Sequence, residues 1–272
     1  MGRLFLSISR LIRVKNAKDI VVLLLLLCLS SMSIAQELTI YTEDWPPLNF
    51  KQGNDINGMA VELVRVLQAH MGSHQDIHLV PWARGYKAVL EDPNVLLFSV
   101  GRTPEREKLM RLLGPIAISD TVLYTRKGNA EHLRSLHDGV YALPVGAYRS
   151  SIFVDVARKK GFQHIEQANS PQIEVNMLLA GRFDMLVESS VAINQILKGI
   201  GHHSSEIEKV AVLDSLELYL AFSLNTSTDI LNAWESALRA AKKDGSFQKI
   251  YQKWFPEDMP PMEVQRLGSV ER

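Results

Sequence analysis

The stretch Phe98-Ser99-Val100-Gly101-Arg102-Thr103-Pro104-Glu105-Arg106 has residue types and spacing suited to holding an anion. An apolar run ending in Ser99 and Gly101 reads as a buried strand. Thr103 then fits a helix N-cap and Pro104 the first helical position. Arg106 falls in that first turn, where a cation opposes the helix dipole unless an anion lies close. Its planar guanidinium matches a carboxylate with two parallel hydrogen bonds. The competing reading is a surface ion pair with Glu105 or another acid, and the residues alone leave both open. Trp82-Ala83-Arg84-Gly85-Tyr86 places a second arginine, Arg84, and two aromatic rings near another strand end. Arg84 either faces the same cleft or is a surface side chain at a helix start.

Other chemistry is poorly represented. His70, His74 and His78 are spaced by four, as metal ligands on one helix could be, but Gly72 interrupts that helix and His78 falls in an expected strand. They read as surface histidines, and no metal is expected. There is no Gly-x-Ser-x-Gly elbow, no His-Glu-x-x-His and no phosphate-loop glycine pattern. No spacing suggests a paired-carboxylate site. The chain is therefore read as a non-enzyme without a cofactor.

Two β-α runs must position these residues. The first has strands at 37–41, 77–80 and 95–100, with helices at 59–69 and 85–90 between them. The second has strands at 139–143, 164–167 and 185–188, with helices at 151–160, 172–180 and 191–197. This alternation indicates α/β architecture with mainly parallel sheets. Such sheets bind ligands outside the carboxyl ends of their strands. Strand-like stretches at 121–125 and 216–223 can join two lobes. Helices at 229–243 and 246–254 should then return to the first lobe. The expected division is 1–35 as a signal peptide, 36–122 as the first part of lobe 1 and 123–217 as lobe 2. Residues 218–260 form the return strand and closing helices, and 261–272 a flexible tail.

The N-terminus carries Arg3, Arg10, Arg13, Lys15 and Lys18, then an apolar run from Ile20 to Leu29, then Ser33-Ile34-Ala35. That is the pattern of a cleaved secretory signal, and the run is too short to span a membrane. The expected location is the periplasm. Cleavage after Ala35 leaves 237 of 272 residues and removes Cys28, the single cysteine. It also removes five of 30 basic residues and one of 30 acidic residues, which leaves a net charge of about −4. That balance argues against nucleic acid or an anionic membrane as partner.

Four pieces in register along the chain resemble the bacterial extracellular solute-binding proteins of family 3, the polar amino-acid-type binding proteins of ABC transporters. They are Asp44-Trp45-Pro46-Pro47-Leu48-Asn49-Phe50, Gly58 with Val61-Glu62-Leu63, Thr103-Pro104-Glu105-Arg106, and Asp244-Gly245-Ser246-Phe247 to Trp254. The resemblance implies a two-lobed type II periplasmic-binding fold, with two mainly parallel sheets joined by two hinge strands and closing on a small polar solute. It places Arg106 at the position that pairs with a ligand carboxylate and Trp45 where an aromatic ring lines the ligand. Ser99 and Gly101 stand at strand-end positions that reach the solute. Tyr148 and Arg149 follow Val145-Gly146-Ala147, which resembles the second-lobe loop feeding a helix N-terminus.

Family members usually place an aspartate after the strand that here includes Met185-Leu186-Val187, where it pairs with the ligand ammonium. This chain has Ser189 there, with Glu188 one residue earlier. Either the register differs and Glu188 takes the role, or the solute is not an α-amino acid. Arg102 beside Arg106, together with Arg84 and Arg149, suggests an anionic or carboxylate-rich solute. The expected protein is a monomer that serves an ABC permease. The alternatives are a sensor reporting to a membrane receptor and a dehydratase of cyclic prephenate-like acids that uses Glu188 and Glu62.

Overall fold

The structure is a computed structural model that describes residues 38–268. The signal-peptide expectation for residues 1–35 and the last residues of the expected tail lie outside that range. Within it, strands β1 (Thr39–Thr42), β2 (Phe50–Gln52) and β3 (Asp55–Asn57) lead into helix α1 (Met59–His70). Then come β4 (Ile77–Leu79), α2 (Trp82–Glu91), β5 (Val95–Gly101), α3 (Pro104–Leu109) and the 17-residue β6 (Met110–Arg126). The second half comprises α4 (Ala130–Ser135), β7 (Val145–Tyr148), α5 (Ile152–Lys160), β8 (Ile165–Ala168), α6 (Pro171–Leu179), β9 (Met185–Ser189) and α7 (Ile193–Gly199). The chain returns through β10 (Ile207–Ser223) and closes with α8 (Thr228–Lys243), α9 (Ser246–Trp254) and β11 (Gln265–Leu267).

Two parallel triplets, β4-β1-β5 and β9-β7-β8, form the cores of the lobes. The long strands β6 and β10 pair antiparallel with each other and run between them, so both lobes share one nine-stranded sheet. The hinge elements are thus far longer than the stretches at 121–125 and 216–223 that the sequence suggests. Their irregular hydrophobic pattern masks that length, because each strand leaves one lobe's core and enters the other's. β5 is buried at every position, as its continuous apolar run requires of a strand covered on both faces.

Two local expectations need correction. Residues 137–142 form a 3-10 helix, and the strand expected at 139–143 lies after Pro144, as β7. The chain also does not end its ordered course near Pro261. Pro260 and Pro261 are buried, and β11 pairs with Leu112–Gly114 of β6. Lys242 fixes the approach to β11, donating to the carbonyls of Pro115 (2.8 Å) and Glu263 (2.6 Å). α8 and α9 pack against α1.

Candidate functional site

The carboxyl ends of β1, β5, β7 and β9 converge on one cleft between the lobes. β1 delivers Glu43 and, through a tight turn, Trp45. Asn49 anchors that turn: its Nδ2 donates to the Glu43 carbonyl (2.7 Å) and its Oδ1 accepts from Ser99 Oγ (2.5 Å). Ser99 sits at a bulge in the β5–β10 ladder with φ +63°, in the left-handed region. A bulged residue in that conformation turns its side chain out of the strand's alternation, here toward the β1 loop. Gly101 follows at close quarters, since a Cβ there would lie 2.7 Å from Ile152 Cδ1 of the other lobe.

Thr103 caps α3 as expected, accepting from the Arg106 N–H (3.1 Å), and Pro104 opens the helix. Arg106 is only 3% exposed, however, and its one ion pair is a long contact across the cleft rather than a bond to Glu105. Its Nη1 donates to the Gly101 carbonyl (2.9 Å). Its guanidinium carbon lies 5.5 Å from the Trp82 ring centroid and 5.1 Å from that of Tyr86, two rings stacked on each other. Its Nε has no partner. The nearest carboxylate is that of half-exposed Asp155 across the cleft, at 3.9 Å.

In the same region the structure buries three glutamates that act on one another in turn. Glu43 accepts from the Tyr148 hydroxyl at 2.9 and 3.0 Å. Glu188 accepts from Trp45 Nε1 (3.2 Å) and from the Ser189 N–H (2.6 Å), and its other oxygen is unpartnered. Glu174, in the first turn of α6, has no hydrogen-bond partner on either carboxylate oxygen. Burial pushes Glu43 and Glu188 up to about 8, even though Tyr148 and Arg106 favour the charged form of the first. Burial also pushes Glu174 well above the usual carboxylate range, and the charge of Glu188 adds to the effect. Polar groups buried without partners are rare in native proteins, and several in one cleft mark a place for a ligand.

The lobes touch across this cleft. Trp45–Glu188, Tyr148–Glu43 and Trp82 Nε1 to the Ser150 carbonyl (2.7 Å) are hydrogen bonds from one lobe to the other. A 320 Å³ cavity at the mouth is bordered by Glu43, Trp82, Tyr148 and Ser170.

Of the residues selected from sequence, Arg106, Trp45, Ser99, Gly101, Tyr148 and Glu188 come together here. Ser189 is buried beside them but turns to the hinge, its hydroxyl 2.8 Å from that of Ser119. Glu188 therefore carries the carboxylate that meets the opposite lobe. Arg149 and Arg84 are exposed. At 100° per residue Arg84 falls on the face of α2 opposite Trp82 and Tyr86, where it borders a separate groove along β4. Arg102 is held by Glu107 (2.7 Å) and Glu217 (3.0 Å). Glu62 is tied to Lys253 (2.6 Å), away from the cleft. The expected excess of cleft arginines is thus corrected to one arginine and three acids. Glu43 and Glu174 carry no mark in the sequence, because two acids 131 residues apart leave no spacing signal.

Residues 38–257 match the family described as bacterial extracellular solute-binding proteins, family 3. The chain belongs to this family. Among its relatives, the arginine-binding extracellular protein ArtP of Bacillus subtilis is 20% identical over 218 residues, 78% of this chain and 83% of ArtP. The L-cystine-binding protein TcyA of the same organism is 24% identical over 226 residues, 82% of each. A histidine kinase sensor domain similar to periplasmic binding proteins superposes with a TM-score of 0.72 at 21% identity, over 82% of this chain and 98% of that one. The arginine-, lysine-, histidine-binding protein ArtJ of Geobacillus stearothermophilus gives 0.70 at 17% identity, over 82% and 97%. The fold is therefore the two-lobed type II periplasmic-binding architecture, and ArtP, TcyA and ArtJ are named as binding proteins.

Proposed function

We propose that this family 3 protein is an exported receptor that captures an amino-acid-like solute by closure of its two lobes and hands it, chemically unchanged, to a membrane permease. One observation carries the reading. A buried guanidinium with a free Nε on lobe 1 shares one closed cleft with buried carboxyls, so a single site offers holders for both an anion and a cation. Arg106 takes the solute carboxylate, supported from behind by the rings of Trp82 and Tyr86. Glu188, from β9, and Glu43 take its ammonium group, and Trp45 covers the apolar part between them. Charge-assisted pairs of this kind are strong where water is excluded.

Closure follows from the geometry of the hinge. β6 and β10 connect the lobes, and contacts from both lobes to one solute favour the closed state over the open one. The relatives that bind arginine and cystine fit a solute with both charges. Export is supported by the N-terminal charge, apolar run and small residues at Ser33-Ile34-Ala35. A thermal-shift screen of amino acids, dicarboxylates and small peptides on wild type and Arg106→Ala tests the reading. A zwitterionic amino acid should raise the melting temperature of the wild type only. A ligand whose stabilisation survives Arg106→Ala unchanged refutes the clamp. Uptake of the amino acid that stabilises only the wild type should be lost in cells that lack the protein.

A further inference from the structure

We propose that Glu174 forms a second cation subsite, beyond Glu188 from Arg106, so that the preferred solute is an α-amino acid with an additional cationic group. The proposal rests on the amino-acid reading of the cleft. Ser170 caps α6, accepting from the Ile173 N–H at 3.3 Å, and Pro171 opens the helix. Glu174 falls on the inward face with Val175 and Leu178. Those neighbours are apolar, so packing alone does not call for an acid there. It is completely buried, and both carboxylate oxygens lack a hydrogen-bond partner, the only side chain among the described residues of which both terminal oxygens are so placed. An acid in that setting is unfavourable unless something arrives to satisfy it.

The charges of these groups act on one another in turn. Arg106 acts on Glu43, Glu43 on Glu188, and Glu188 on Glu174. The backbone N–H of Tyr148 on β7 lies near the Glu174 carboxylate without completing a hydrogen bond, and it favours the charged form only in part. Three carboxyls facing one guanidinium in a closed, dry cleft cannot all ionise, so protons hold the acids neutral until a ligand comes. A solute with a single ammonium group satisfies the acids nearest Arg106 and leaves Glu174 protonated. A solute with a second cationic group replaces the proton on Glu174 as well. The first case gains nothing at Glu174, whereas the second gains a charge-assisted pair.

Calorimetric titration of the wild type and Glu174→Gln with L-lysine, L-arginine and L-glutamine decides it. Gln has the shape of the protonated acid, so the variant should keep the wild-type melting temperature. In the wild type, L-lysine or L-arginine should bind more tightly than L-glutamine. In Glu174→Gln that affinity should fall by about tenfold or more, while L-glutamine binding stays within about twofold. Proton release on binding the cationic probe, read from two buffers of different ionisation enthalpy, should also fall by about one proton. Tightest binding of L-glutamine, an equal loss for all probes, no loss, or no binding of any probe overturns the subsite. Binding that no longer depends on Arg106 overturns the amino-acid reading instead.

Discussion

At the scale of single residues, the cleft is built from groups that are incomplete without a solute. Arg106 is buried with a free Nε, and its side chain otherwise meets one carbonyl, two aromatic faces and, at 3.9 Å, the Asp155 carboxylate. Lysine carries the same charge but no fork. Arg106→Lys should therefore lose one of two carboxylate bonds, about 1.5–3 kcal/mol, or roughly ten- to a hundredfold in Kd by calorimetry. An affinity unchanged in that variant would show that the fork is not used. Tyr148→Phe removes the hydroxyl that satisfies Glu43 and leaves that buried carboxyl without a donor. A loss of about 1–3 kcal/mol in closure is expected, seen as weaker ligand binding with little change in the far-ultraviolet circular dichroism.

At the scale of elements, backbone geometry fixes where those side chains go. Gly58 opens α1 at φ +129°, and a Cβ there would stand 2.3 Å from the Leu48 carbonyl oxygen. Backbone cannot yield as a side-chain tip can, so Gly58→Ala should lower the denaturation midpoint, by at least about 1 kcal/mol in stability. It should also weaken binding, because Leu48 and Asn49 belong to the turn that presents Trp45. An unaltered midpoint would show that the loop can shift. Most of the elements were legible in the sequence because local signals mark them. Thr103-Pro104 starts a helix where cap and proline stand together. The 3-10 helix at 137–142 was misread as a strand because a short apolar run has no decisive period. The Ser99 bulge was not legible, since it arises from pairing with Tyr219 and Leu220, more than a hundred residues away.

At the scale of the whole molecule, closure buries acids, so pH should act on it. Glu43 and Glu188 are raised to about 8 in the closed form and return to ordinary values when the lobes part. A raised carboxyl favours the closed form fully below its open-state value near 4.5 and loses that contribution as pH rises through about 8. The ligand-free protein should thus be more compact near pH 5 than near pH 9, by small-angle X-ray scattering. A radius of gyration that does not change over that interval would refute the linkage. The sequence by itself determined the α/β class, the two-lobed plan, the family resemblance and the position of Arg106. Each is written in short-range pattern, as apolar period, cap residues or a contiguous motif. Only the tertiary structure decided that Arg84 and Arg149 face solvent, that Glu188 rather than Ser189 meets the opposite lobe, and that Glu43 and Glu174 join it. Those outcomes depend on how strands distant in sequence pair and how the lobes meet, and contacts at that range leave no local trace in the chain.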